Sequence, residues 1–310
     1  MSNKEINGEE KGKLYQKAKE IMSAVLEKPR NLTNVRKNNW VFITEEQSRN
    51  YMVKFVPNDE GERLRVEAGI ARMIQDKTDL PVPSVLELGE WNEYVYLFRE
   101  VIQGEPLIES IKRKDSFEEL LYQAGEALAK IHSIEFNEKG ILNQDLEIES
   151  ADVLNQLEFN GFLKILQSCQ VLSKDEIEKL SNIDIDGCFA RGINVLCHSD
   201  YSPNNIIVKG NKLAGIIDFE WAMAAPPMDD IASFDLFMEL EGVKDHIHAY
   251  YKGYQSLRAI EDFYFKNLNL YKLYRLVTMV SYQAAAKDER FDKDRLALMK
   301  ERLKEGISRI

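Results

Sequence analysis

Cys197-His198-Ser199-Asp200-Tyr201-Ser202-Pro203-Asn204-Asn205, followed after a short interval by Gly215-Ile216-Ile217-Asp218-Phe219-Glu220, is the text that decides how this 310-residue sequence folds. The first segment fits H-x-D-x-x-x-x-N, and the second brings an aspartate to the end of an apolar strand. Kinase-type phosphoryl transfer needs a carboxylate that orients an attacking hydroxyl and takes its proton. It also needs an asparagine and a second aspartate that hold magnesium on the phosphates. Asp200, Asn205 and Asp218 supply all three. The runs Asn205 to Val208 and Leu213 to Ile217 flank the turn Lys209-Gly210-Asn211-Lys212, so a hairpin carries Asp218 back to the Asp200 loop. Asp and Asn also serve as turn and cap residues with no chemistry attached. A chain with only 4 histidines seldom meets the whole pattern by chance.

The same chemistry asks the amino-terminal part for a strand lysine and an acidic helix residue to hold it. In Tyr51-Met52-Val53-Lys54-Phe55-Val56 the two-residue period places Met52, Lys54 and Val56 on one face, where Lys54 interrupts an apolar side and calls for an anion. Glu67 follows Leu64 by three residues on the next helix, beside its apolar stripe, and can point toward the sheet. The plain alternative for Glu67 is a surface pair with Arg63.

Around these residues the chain divides in character. An opening helix is expected over 11 to 27, strands at Trp40 to Thr44 and Tyr51 to Val56 across a polar turn at Glu46 to Asn50, and a helix from Asp59 that stops before Pro81 and Pro83. A second hairpin joins Val85 to Glu90 and Tyr94 to Glu100 through Trp91-Asn92-Glu93. After Gln103-Gly104-Glu105-Pro106 long helical stripes take over: Phe117 to Ile131, 150 to 186 and 262 to 286. They are broken by one strand island from Ile193 to Ile217. Residues Lys287 to Arg302 read as a closing amphipathic helix.

Composition narrows the function classes. With 52 acidic against 41 basic side chains the formal charge is -11, which disfavours a nucleic-acid partner and is compatible with a cationic small molecule. No stretch approaches the ~20 apolar residues of a membrane helix, and the amino terminus lacks the apolar core of a secretion signal, so a cytoplasmic protein without a membrane partner is expected. Cys169, Cys188 and Cys197 are odd in number and widely spaced, which suggests neither a disulfide frame nor a zinc site.

Taken in order, these motifs resemble the aminoglycoside phosphotransferase and choline kinase family, relatives of the protein kinases, over roughly residues 30 to 240. Leu80 to Glu90, Phe98 to Leu107, Gly125 to His132 and Ala225 to Ala232 carry the resemblance alongside the Asp200 loop. It implies an α+β, bilobal protein-kinase-like fold. A small N-terminal lobe with an antiparallel sheet and one key helix (1–102) would bind nucleotide, and a larger, mainly helical lobe (103–310) would hold the catalytic loop and acceptor site. ATP or GTP would bind at a hinge near Glu100 to Ile102, below Met52, with Mg2+. Asp200 would be the catalytic carboxylate, Asn205 and Asp218 the metal ligands, Lys54 the phosphate-binding lysine and Glu67 its partner. His198 would stabilise the loop and Asp230 would brace it. Two features depart from the family pattern. The loop Asn34-Val35-Arg36-Lys37-Asn38-Asn39-Trp40 has no glycine for close phosphate approach. Asp218-Phe219-Glu220 ends in the choline-kinase style, leaving Glu220 as a residue behind the metal or a solvated one.

The acceptor implied is a small molecule, with an aminoglycoside first and choline, another amino alcohol or a sugar as the alternative. A nucleotide-binding interaction module without turnover is the other class, disfavoured because Lys54, Asp200, Asn205 and Asp218 are all present. Candidate acceptor residues are Glu220, Trp221 and Glu239. Asp229, Asp235 and Glu241 add further carboxylates, and Phe234, Phe237, Tyr250 and Tyr251 add aromatics able to box a cation. Aromatics at helical spacing are more often core. A monomer or a weak dimer is expected.

Overall fold

The computed structural model describes residues 8–26, 32–34, 40–45, 49–113, 117–151, 153–189, 192–286 and 293–310. Most of the glycine-free loop, most of the turn at 46–50 and residues 287–292 of the closing segment lie outside them.

Helix α1 (Gly8–Met22) precedes a five-stranded antiparallel sheet of β1 (Thr33–Asn34), β2 (Trp40–Glu45), β3 (Asn50–Pro57), β4 (Val85–Trp91) and β5 (Tyr94–Val101), in the order β1-β2-β3-β5-β4. Helix α2 (Gly61–Lys77) connects β3 to β4. Both hairpin readings and the helix between them are met, and Asn92 takes the left-handed φ of 54° that a tight β4–β5 turn requires. Alternation along β3 and β5 splits the sheet into two faces. Val53, Phe55, Tyr96 and Phe98 pack against Leu14, Ala18 and Met22 of α1, while Val56 and Leu97 pack against Leu64 and Ala68 of α2. Lys54, opposite Leu97 in the β3–β5 register, therefore faces α2.

The rest is mainly helical. It runs β6 (Glu105–Pro106), α3 (Leu107–Lys112), α4 (Glu118–Ile131), β7 (Glu135–Phe136), β8 (Gly140–Leu142), β9 (Ile148–Ser150), α5 (Gln156–Ser168), α6 (Lys174–Ser181) and α7 (Ile185–Phe189). Then come β10 (Asn194–Cys197), β11 (Ile206–Lys209), β12 (Lys212–Ile216), β13 (Met223–Ala225), α8 (Met228–Leu240), α9 (Ile247–Gln255), α10 (Asp262–Ala286) and α11 (Lys293–Ser308).

The strand island needs correction. β10 does not share a sheet with the β11–β12 hairpin; it lies in a second sheet ordered β7-β10-β13-β8-β9, whereas the hairpin pairs with β6 in a three-stranded sheet. Strands of two or three residues are too short for a period to register. The Asp200 loop thus crosses from one small sheet to another. Gly104 makes the junction possible: at φ 152°, a side chain there would run into the Val208 carbonyl. The stripe read over 150 to 186 is likewise three helices, the first capped by Asn155 Oδ1 on Glu158 N at 2.8 Å and the second opened by a Ser173/Glu176 capping box.

The core of this region is closed by α4 against α9. Gly125 faces the Tyr250 carbonyl and Gly253 faces the Tyr122 carbonyl, so each helix presents bare backbone to the other. Because the obstacle is backbone, Gly253→Leu is expected to cost about 3 kcal/mol or more and lower Tm by roughly 2–4 °C per kcal/mol. A melting curve matching the parent would show that the helices can separate freely. Among the described residues no helix is long and apolar enough to cross a membrane.

Candidate active site

The loop between β10 and β11 is shaped by hydrogen bonds to its neighbours. Ser199 sits at φ 64° and Asp218 at φ 72°, conformations that cost a non-glycine residue of order 1–3 kcal/mol and persist only where surroundings enforce them. Asp230, in the first turn of α8, enforces the first. Its Oδ2 accepts from His198 N (2.6 Å) and its Oδ1 from Ser199 N (2.8 Å), and His132 Nε2 reaches Oδ2 at 3.2 Å from α4. His198 then ties the loop to the hairpin end: Nε2 donates to Ile217 O (2.9 Å) while Nδ1 receives Asp200 N (3.3 Å), which fixes one tautomer. Asn205 closes the circuit. Its Nδ2 donates to the Asp200 carbonyl (3.0 Å) and carboxylate (2.8 Å), and its own carbonyl accepts Ile217 N (3.0 Å). Tyr201 anchors the floor through its hydroxyl on Ala124 O at 2.7 Å.

The sheet side meets this loop at Lys54. Its Nζ is 3.2 Å from Glu67 Oε2 and 2.7 Å from Glu220 Oε2, with the lysine and Glu67 both buried. The alternative pairing of Glu67 with Arg63 does not occur; Arg63 instead lies over the Trp221 ring at 3.5 Å. Carboxylate oxygens of Glu67, Asp218 and Glu220 lie within 4.8 Å of one another. Lys54, Glu67, Asp218 and Glu220 are thus gathered together, and Asn205 ties the Asp200 loop to Ile217, the residue before Asp218. Met52 shares the Lys54 face, and Ile102 lies beside Gly215. The Glu100 carboxylate turns to Arg49 at 3.0 Å.

A model of the phosphotransferase enzyme family matches residues 32–260. The chain belongs to this family. Among solved structures, this phosphotransferase is similar to a thermostable mutant of aminoglycoside phosphotransferase APH(4)-Ia in its apo form, with TM-score 0.70 and 15% identity over 94% of this chain and 98% of the other. It is also similar to a structure named as a fructosamine-3-kinase from Haemophilus somnus 129PT, with TM-score 0.67 and 14% identity over 94% and 97% of the two chains. A third is the GDP complex of aminoglycoside 2'-phosphotransferase-IIIa, with TM-score 0.66 and 14% identity over 96% and 99%. These similarities establish the bilobal, protein-kinase-like fold. No curated protein matches the chain significantly.

Electrostatics in the phosphotransferase cleft follow from burial. Asp200 is exposed at the mouth of the loop, yet the protein packed around its carboxyl pushes it above its usual range, against the pull of His198, Arg275 and Asn205. Burial alone would depress the Lys54 ammonium, but Glu67, Glu220 and Asp218 outweigh it and its pKa rises. Burial also opposes ionisation of Asp230, yet its hydrogen bonds and the two histidines hold it below the ordinary carboxylate value. The carboxylates of Glu67, Asp218 and Glu220 bring hard oxygen donors together, the kind that suits Mg2+, and the amide nitrogen of Asn205 is spent on Asp200, which leaves its Oδ1 as an acceptor. The buried trio His132, Cys197 and Asp230 does not form such a site. His132 bonds Tyr254 and Asp230, and the Cys197 thiol donates to Ala225 O and Pro226 O.

The acceptor candidates are dispersed. Glu220 sits on Lys54 at 2.7 Å. Trp221 is partly exposed with one ring face under Arg63. Glu239 lies on α8 ten residues beyond Asp229, about 15 Å along the helix, paired with Lys272 at 3.1 Å. Asp229 is buried beside Arg275, and Phe234 stacks on Tyr250 at 4.2 Å inside the core, so neither aromatic can box a ligand. Two residues escape sequence reading. Arg275 on α10 donates from Nη2 to Ser199 O at 2.8 Å, and its only signal is a cation inside the stripe Leu273, Tyr274, Leu276, Val277. Arg99 on β5 reaches Glu67 Oε1 at 3.4 Å. The alternation Leu97, Arg99, Val101 could have revealed it.

Proposed function

We propose that this chain is a small-molecule kinase that transfers the terminal phosphoryl group of ATP or GTP to an acceptor hydroxyl. The observation that carries this reading is Asn205, which bonds the Asp200 carboxylate with its amide and the residue before Asp218 with its backbone, next to Lys54. Asp200 orients the acceptor hydroxyl and takes its proton as the oxygen attacks the terminal phosphorus. The bond to the bridging oxygen breaks and the nucleoside diphosphate leaves. A carboxylate whose pKa is raised above the usual range is suited to that proton. Lys54, oriented by Glu67, steadies the phosphates. Met52 and the hinge at Glu100 and Ile102 face the base, and the two lobes are read as joining after residue 102. Asn205 and Asp218 would hold Mg2+, which when bound neutralises charge on the phosphates.

The leading acceptor class is the aminoglycosides, supported by the net charge of -11. A choline-like, amino-alcohol or sugar acceptor is the second reading. It is supported by the partly exposed Trp221 ring, an aromatic surface able to receive a cation on its open side. The protein is read as a cytoplasmic monomer or weak dimer.

Magnesium-dependent nucleotide turnover across aminoglycosides, choline, ethanolamine and sugars tests the reading. Stimulation by one class supports it, and nucleotide binding with no stimulation across an extended panel would favour a binding module. Asp218→Ala is expected to weaken nucleotide binding in magnesium at least about tenfold while changing binding without magnesium little. Titration calorimetry with and without the metal checks this, and equal losses in both would remove Asp218 from the metal site.

A further inference from the structure

Arg99 lies on the face of the sheet that carries Lys54, immediately before Glu100. In the β3–β5 register it stands opposite Met52. Lys54 is two residues along β3 from Met52, so Arg99 is one rung of the sheet, about 7 Å, from the lysine and on the side of residues 100–102. Its residue exposure is 9%. Glu67 Oε1 is 3.4 Å from Nη2, and Nε is buried with no hydrogen-bond partner. A guanidinium has five N–H donors and accepts nothing. A buried donor without a partner is costly, so the protein holds here a donor that its own groups do not use.

A nucleotide whose phosphates reach Lys54 and whose base reaches residues 100–102 must pass along the rung that carries Met52 and Arg99. The purine 6-position is the distinguishing group on that edge. Guanine offers the O6 acceptor, while adenine offers an amino group that only donates from its hydrogens. We infer that Arg99 is a specificity residue that selects guanine over adenine nucleotides by donating to O6. This rests on the proposed reading of residues 100–102 as the base-facing edge. The carboxylate of Glu67 anchors one end of the guanidinium and limits its freedom, so a shift by the base to present a different group is poorly compensated.

Titration of the full chain with GTP and ATP, each with magnesium, tests the inference. GTP is expected to bind at least about tenfold more tightly than ATP, the discrimination one good guanidinium–guanine contact supplies. The Arg99→Met variant should bring the two affinities together. Inosine triphosphate, which keeps O6 and lacks the 2-amino group, should follow GTP on the unaltered protein, and 2-aminopurine riboside triphosphate, which lacks O6, should not. The analogue pair decides the matter if the variant fails to fold. ATP binding as tightly as GTP, or a guanine preference that survives in Arg99→Met or ignores O6, overturns the inference and leaves the kinase reading in place. Failure of both nucleotides to bind overturns the reading beneath it.

Discussion

Replacing Asp200 by alanine is expected to lower turnover with the stimulating acceptor by about 10²- to 10⁴-fold, the range a positioned proton acceptor supplies, while nucleotide affinity stays near that of the parent. The loop should keep its shape. Its braces run through the backbone of His198 and Ser199 to Asp230 and through His198 to Ile217, none of them through the Asp200 carboxylate. Asn205 loses one acceptor but retains the Asp200 carbonyl at 3.0 Å. A coupled assay of nucleoside diphosphate release, run beside a nucleotide titration, separates the two quantities. Near-parental turnover would take the catalytic role away from Asp200.

The largest effect on stability is expected at Asp230. Asp230→Ala leaves His198 N and His132 Nε2 in the interior and the partly buried Ser199 N without their carboxylate. Removing one buried partner from such a set costs about 3–5 kcal/mol, so Tm should fall by roughly 6–20 °C, and the left-handed Ser199 should lose its definition. The neighbouring Asp229 offers a comparison: among the described residues it accepts no hydrogen bond, so Asp229→Ala removes one ion pair with Arg275 at 3.5 Å while Arg275 keeps its bond to Ser199 O. Asp229→Ala should therefore melt closer to the parent. A thermal-shift comparison that ranked the two in the opposite order would contradict the brace.

Much of this site could be read before any coordinates. Asp200, Asn205 and Asp218 form a local pattern with fixed spacing, and Lys54 stands out because a strand period of two exposes a charge on an apolar face. Glu67 followed because the helix after that strand had one stripe on which an acid could face inward. What the sequence hid is set by long-range packing. The sheet that holds β10 assembles from segments of two to four residues drawn from 135 to 225, each too short to carry a period. Arg275 belongs to the Asp200 loop only because α10 packs beside α8. The acceptor surface was least legible for the same reason: its candidates lie on α8 and the segment after Asp218, and their partners Lys272 and Arg63 come from α10 and α2.

The contact of Glu220 with Lys54 has a bearing on what the cleft will not hold. The ammonium there already has a carboxylate at 2.7 Å and a second at 3.2 Å. A lone anion such as free phosphate could enter only by exchanging one ion pair for another of similar strength, while leaving a displaced carboxylate behind in a partly buried place. A polyphosphate arriving with its own divalent cation brings a counter-charge for Glu220 as well as oxygens for Lys54. Under the proposed reading, the cleft should therefore favour a polyphosphate that arrives with its metal over metal or free phosphate presented alone.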